Sequence, residues 1–201
     1  MQEEFDRIEL EPNSNGSRRI AIAVISILCV ILAAVTAALL VRHYVITTYI
    51  VDGISMYPTL DGGNGEYSDN ERENGETLYL NMVSKIKRGD IVVFHPVGWN
   101  LLDYDDNSVA LVKRVIAVGG DHLEIKDNVV YLNGEALDET YINGPMDTPD
   151  LEVDIPDGYI FCMGDNRNHS LDCRKNGPVS LDTVIGKCFM IKSINGKLRF
   201  L

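Results

Sequence analysis

Val109-Ala110-Leu111-Val112-Lys113-Arg114-Val115-Ile116-Ala117-Val118 is an apolar run, rich in β-branched residues and interrupted by two adjacent cations. Valine and isoleucine pack well on a pleated surface, so Ala110–Val118 reads as a strand. Side chains alternate across a strand. Lys113 therefore shares a face with Leu111, Val115 and Ala117, and Arg114 shares the other with Val112, Ile116 and Val118. A charged amine on an apolar face is costly, and burial lowers its pKa, by about 3–5 pH units in extreme cases. A neutral amine can accept the proton of a serine hydroxyl. The same pattern also suits an edge-strand lysine whose stem covers apolar surface while its head reaches water.

On either side of this run the same chemistry recurs. Tyr44–Val51, Thr77–Asn81, Asp90–His95, His122–Lys126, Val129–Leu132, Gly158–Met163 and Ile185–Ile194 are further strand candidates, with one helical turn near Leu181–Val184. Asp127-Asn128 and Asn133-Gly134 supply residues that tolerate hairpin turns. Asp61–Glu76, Gly-rich and acidic, and Thr140–Pro156, with three prolines, read as solvated loops. The region after residue 50 is thus mainly β.

Before the strands lies Ile20–Val41, which holds no charge and only two hydroxyl side chains, Ser26 and Thr36. A helix of this length rises roughly 33 Å, enough for a hydrocarbon core of about 30 Å. Thr36-Ala37-Ala38 offers a cleavage-like site, but cleaved secretory signals have shorter apolar stretches, of about 7–15 residues. The segment therefore reads as a transmembrane anchor over 20–41. Arg7, Arg18 and Arg19 precede it, and Arg42 alone follows closely. This bias predicts a single-pass protein of the cell membrane, with a cytoplasmic disordered tail over 1–19 and an extracytoplasmic β domain over 42–201.

The formal net charge of −12 argues against nucleic acid as a partner, because phosphate binding needs clustered Lys and Arg. Cys29, Cys162, Cys173 and Cys188 match no zinc spacing and the four histidines are scattered, so no metal or cofactor is expected. Cys29 lies in the apolar segment, and the other three leave room for one disulfide at most.

Two further segments carry chemistry. In Gly53-Ile54-Ser55-Met56-Tyr57-Pro58-Thr59-Leu60, Pro58 restricts its own φ and that of Tyr57, and Gly53 permits positive φ. Ser55 thus has a defined position at a strand end, as it would also have in a plain turn. Gly164-Asp165-Asn166-Arg167-Asn168-His169-Ser170-Leu171-Asp172-Cys173-Arg174 holds two acids and two arginines, suited to a turn fixed by bidentate ion pairs or to a solvated loop. Asn15-Gly16-Ser17 and Asn168-His169-Ser170 match glycosylation sequons, which are short enough to arise by chance.

Together these segments resemble the type I signal peptidases. Ser55-Met56-Tyr57-Pro58-Thr59-Leu60 resembles that family's nucleophile motif, and Arg88-Gly89-Asp90-Ile91-Val92-Val93-Phe94 its structural strand motif. Lys113-Arg114-Val115-Ile116 with Gly120-Asp121 resembles the lysine motif, and the segment from Gly164 to Arg174 the last one. The resemblance implies a coiled, mostly antiparallel β core with a small β insertion over about 119–157, behind one N-terminal transmembrane helix. It implies Ser55 as nucleophile, Lys113 as general base, and Ser170 as the hydroxyl that orients the amine. Asp165, Arg167, Asp172 and Arg174 become the supporting shell. Val51, Met56 and Val112 become the lining of shallow pockets for small residues, and exported preproteins become the substrates. The position two residues before Ser55, a hydroxyl in some members, is Gly53 here. Cys173 and Gly119 stand where Ser and Pro are frequent. The alternative is a non-catalytic, membrane-anchored β module that binds a partner, although such a module has no evident use for a lysine on an apolar strand face.

Overall fold

The computed structural model describes residues 14–63, 75–99 and 109–201. They form two compact units that divide between His43 and Tyr44. In the first unit, helix α1 runs from Ser14 to Tyr44. Its apolar stretch between Arg18 and Arg42 has a mean hydropathy of 3.0 over its most apolar window and buries none of it against protein. An apolar surface this long with no protein cover suits a bilayer interior. Ser14–Arg19 is helical where a disordered tail was expected. Extending an existing helix costs far less than nucleating one, so polar flanks continue the coil. At its other end the helix runs through Tyr44, delaying the first strand to Ile46.

The second unit is mainly β. In chain order its strands are β1 (Ile46–Ile50), β2 (Thr77–Asn81), β3 (Ile91–Phe94), β4 (Leu111–Val118), β5 (His122–Lys126), β6 (Val129–Leu132), β7 (Glu135–Ala136), β8 (Leu151–Asp154), β9 (Tyr159–Met163), β10 (Val179–Ser180), β11 (Val184–Lys192) and β12 (Leu198–Phe200). The first sheet has the order β1-β2-β11-β3-β4-β9-β10, with β12 paired to β11. The second, β7-β6-β5-β8, is inserted between β4 and β9. All the pairings are antiparallel.

Strand β3 is the centre of the first sheet. All four of its side chains are buried, each contributing about 1.5–3 kcal/mol if wholly apolar. Ile91 and Val93 join a cluster with Met56, Leu60, Leu78 and Leu80, whereas Val92 and Phe94 join another with Val115, Ile160 and Phe161. Both faces are therefore covered, which explains the continuous apolar reading of Ile91–Phe94. On β4, alternation ends at a bulge between Val115 and Ala117 in the pairing with β9. Val115, Ile116 and Ala117 are consequently all buried, since an extra residue re-aims the strand.

Thr140–Pro156 is not the solvated loop expected from its prolines and acids. Leu151–Asp154 pairs with β5, and Met146 and Ile155 are buried in the core. Residues 64–74 of the expected acidic loop lie outside the described residues, but its base is closed. Asp61 and Glu76 bond through their backbones, and the buried Glu76 carboxylate accepts the Asp61 N–H at 3.1 Å.

Candidate active site

Strand β1 ends at Ile50 and the chain turns sharply through Gly53–Leu60. Gly53 takes φ = 82°, which an L side chain disfavours. Met56 and Leu60 plug the apolar cluster beneath, and Leu60 N–H donates to Met56 C=O at 2.9 Å. Ser55 sits between these anchors, half-buried at the top of the turn.

Strand β4 brings Lys113 to the same place. Paired opposite the buried Val92 of β3, it is 3% exposed. Its Nζ lies 2.8 Å from Ser55 Oγ and 2.9 Å from the Val112 carbonyl oxygen. Burial pushes the amine down from 10.5 to about 8, against the opposing pull of the Asp172 and Asp165 carboxylates. Desolvation exceeds that attraction, so about a tenth of Lys113 is neutral at pH 7, against well under a thousandth of an unperturbed lysine. A snorkelling, water-exposed ammonium is not what the strand presents.

The third segment closes around this pair. Asn166 N–H donates to Ser55 C=O at 3.0 Å, and the Asn166 side chain donates to Ile54 C=O at 3.1 Å. Gly164 packs so closely that a Cβ there would overlap both the Ser55 carbonyl and the Ser170 side chain. Gly164→Ala is thus expected to cost about 1–3 kcal/mol by overpacking. It should also displace Ser55 from Lys113, which slower labelling of Ser55 by a serine-directed acylating probe, alongside thermal unfolding, will measure.

Asp165 is fully buried and receives two bonds from Arg114, Nε to Oδ1 at 2.8 Å and Nη2 to Oδ2 at 2.6 Å. The same guanidinium donates to Gly89 C=O at 3.0 Å and to Thr59 Oγ1 at 3.3 Å, and lies 4.1 Å from the centre of the Tyr141 ring. One side chain thereby ties together the turn bearing Ser55, the approach to β3, strand β4 and the segment after β9. Asp172 accepts from Gly164 N–H at 3.0 Å and from the Arg174 guanidinium at 2.9 and 2.8 Å. Burial alone would raise its pKa; Arg174 and the Gly164 N–H outweigh that and hold it below the usual carboxylate range. Arg174 in turn donates to the Arg167 carbonyl at 2.6 Å.

Arg167, 2% exposed, meets Glu139 in a two-pronged pair at 2.7 and 2.6 Å. Tyr141 donates to the same carboxylate at 2.9 Å. Glu139 and Tyr141 carry no signal in the sequence reading, and Arg114 stood there within the lysine motif without a role of its own.

Ser170 lies in the site, against Gly164, but makes no bond to Lys113. Its buried Oγ has no hydrogen-bond partner among the described residues. It faces the Cα of Gly164, and Val112 C=O takes the amine instead. Val51 and Met56 are 3% and 1% exposed, so they form a floor beneath the turn rather than open pocket walls. Val112 packs half-buried against the same cluster. All four cysteines are free, and the buried Cys173 Sγ accepts Cys162 N–H at 3.1 Å. Among the described residues no His, Cys, Asp and Glu group is arranged to hold a metal ion.

A desolvated amine bonded to a serine hydroxyl and braced by buried ion pairs can, in its unprotonated form, take up the serine proton without a histidine. The family described as signal peptidase, peptidase S26 matches residues 24–192. The chain is 33% identical over 171 residues to signal peptidase I T of Bacillus subtilis (strain 168), covering 78% of each chain. It is 38% identical over 159 residues to signal peptidase I S of the same organism, covering 72% of this chain and 74% of the relative. It is also 35% identical over 160 residues to the probable signal peptidase I-1 of a Synechocystis strain, covering 78% and 76%. The chain belongs to the signal peptidase family, peptidase S26.

Proposed function

We propose that this chain is a membrane-anchored serine endopeptidase that removes signal peptides from exported preproteins, with Ser55 as nucleophile and Lys113 as general base. Helix α1 is the anchor. The arginine bias around it supports a cytoplasmic N-terminus and an extracytoplasmic β unit. The observation that carries the mechanism is the 2.8 Å contact between a desolvated amine and a serine oxygen.

Neutral Lys113 removes the Ser55 proton as Oγ attacks the scissile carbonyl. The backbone N–H of Ser55 donates to the developing oxyanion. Lys113, now an ammonium, gives its proton to the leaving amine. It then takes a proton from the water that attacks the acyl-enzyme and returns it to Ser55 Oγ as the ester bond breaks. Val112 C=O orients the amine throughout, and Asp165, Asp172, Arg167 and Arg174 hold the segment that roofs it. Ser170 supports this roof through its packing on Gly164. Cleavage follows small residues because Val51, Met56 and Val112 leave little depth for larger ones.

Full-length protein in detergent, incubated with a labelled preprotein, tests the reading. Wild type is expected to cleave while Ser55→Ala and Lys113→Ala do not; equal processing by all three removes it. The pH profile adds an independent check. The base works only when unprotonated, so kcat/KM should rise through about pH 8 and level off above it. A rising limb centred near pH 4 or 6 instead would point to a carboxylate or a histidine base.

A further inference from the structure

The stretch that matches the family ends at residue 192, and a short hairpin follows it. Ser193 N–H donates to Lys197 C=O at 2.8 Å, and β12 returns along β11 with Arg199 opposite Ile191. Alternation turns Leu198 and Phe200 outward, 51% and 72% exposed. Arg199 shares its face with buried Ile191, part of the same cluster as Met56 and Leu60. Its guanidinium donates to the Thr59 carbonyl at 2.7 Å and lies 3.8 Å from Glu76. Ser193 Oγ donates to Glu76 at 3.0 Å from the base of the same hairpin. Thr59 is therefore gripped twice, on its hydroxyl by Arg114 and on its carbonyl by Arg199. Glu76 in turn holds Asp61, the residue at which the Ser55 turn ends.

We infer that Arg199 is a positioning residue for the proposed cleavage reaction: the C-terminal hairpin holds the Thr59 end of the Ser55 turn, so that Oγ stays in line with Lys113. The inference rests on the reading of Ser55 as nucleophile. Arg199 touches neither reacting group, and its side chain is 45% exposed. Its contribution to stability is therefore that of a surface pair, and its main effect is geometric. A displacement of about 1 Å in a reacting group costs on the order of 100-fold in rate.

The test compares detergent-solubilised full-length wild type, Arg199→Ala, Arg199→Lys, Lys197→Ala and Ser55→Ala on one labelled preprotein, reading kcat, KM and Tm. Arg199→Ala is expected to lower kcat by about 10–100-fold with KM within twofold and Tm down by less than about 4 °C. Arg199→Lys, which keeps one donor within reach of the carbonyl, should recover most of kcat. Lys197→Ala, an exposed neighbour on the same hairpin, should match wild type. An unchanged kcat in Arg199→Ala beside an inert Ser55→Ala overturns the positioning role alone. A loss explained wholly by a smaller folded fraction, with kcat per folded molecule unchanged, overturns it too. Cleavage by Ser55→Ala at the wild-type rate removes the nucleophile and this role with it.

Discussion

Lys113→Met should abolish cleavage, by roughly 10⁴–10⁶-fold in kcat, and at the same time make the protein more stable. The two effects share one cause. In the folded state burial lowers the amine from 10.5 to about 8, which corresponds to about 3 kcal/mol against the charged form. The sign follows from proton counting. Below about pH 8 the folded and unfolded chains both hold the proton, and the desolvation cost weighs in full. Between about 8 and 10.5 the unfolded chain keeps its proton while the folded one loses it, so stability rises with pH. Methionine fills similar space with no charge. It leaves Ser55 Oγ and Val112 C=O without their lysine partner, at about 1 kcal/mol each or less where water replaces it. The net expectation at pH 7 is a gain of about 1–2 kcal/mol, or about 2–6 °C in Tm. The rise of stability between pH 8 and 10.5 should vanish as well. A variant that is inactive yet less stable at pH 7 would contradict a desolvated, strained base. The Ser55→Ala/Lys113→Met double variant should be no slower than either single one, because the two groups act as a unit.

Arg114→Met carries the largest expected cost in stability, about 3–5 kcal/mol, because it leaves the wholly buried Asp165 carboxylate without its cation. Three other attachments go with it: Thr59, Gly89 and the face of Tyr141. The loss should be read from Trp99, the chain's single tryptophan, which is buried 5.6 Å from Phe94 in an edge-to-face contact. Its fluorescence reports the core rather than helix α1. Asp165→Leu alone should also destabilise, whereas the Arg114→Met/Asp165→Leu double variant should recover much of the loss, as buried pairs replaced together often do. Strict additivity of the two single losses would mean that the pair does not interact. Activity should stay low in the double variant even where stability returns, since nothing would then tie Thr59 to β4.

How far these groups could be read without the fold depends on the reach of each signal. Lys113 was legible because its oddity is local: a cation among Leu111, Val115 and Ala117 is costly wherever the strand sits. The same argument applied to Arg114 on the opposite face, among Val112 and Ile116, but its partners Thr59, Gly89, Tyr141 and Asp165 are far away in the chain. Composition therefore could not say what would neutralise it. Glu139 and Tyr141 were hidden by neighbouring prolines and acids, which suggested solvent. The two-residue period of Leu151-Glu152-Val153-Asp154 was the overlooked strand signal there. Strand order was beyond reach for a similar reason. β11 inserts between β2 and β3, a pairing between distant segments that no local pattern announces. Ser170 shows a different limit, since a motif can place a hydroxyl in the neighbourhood but cannot choose its partner.

The second sheet leaves the first at Val118 and returns at Tyr159, and β4 and β9 are adjacent strands. Gly119, at the exit, lies against Pro156 and Asp157, at the return. The segment thus enters and leaves at one place, but Leu123, Ile125, Met146 and Ile155 pack into the same core cluster as Val92, Phe94 and Phe161, so only its outermost, exposed part at Glu135–Ala136 can be altered without disturbing the strands that receive it. Several other parts are not exchangeable: Tyr141 lies on the Arg114 guanidinium, Asn143 N–H donates to Asp165 C=O, and Met146 and Ile155 fill the core. Glu139 reaches back to neutralise Arg167, so a replacement cassette lacking that carboxylate would strand a guanidinium in the protein interior. Grafts that reproduce the stem, this acid, Tyr141, Asn143 and the core residues should fold, and those that reproduce the stem alone should not.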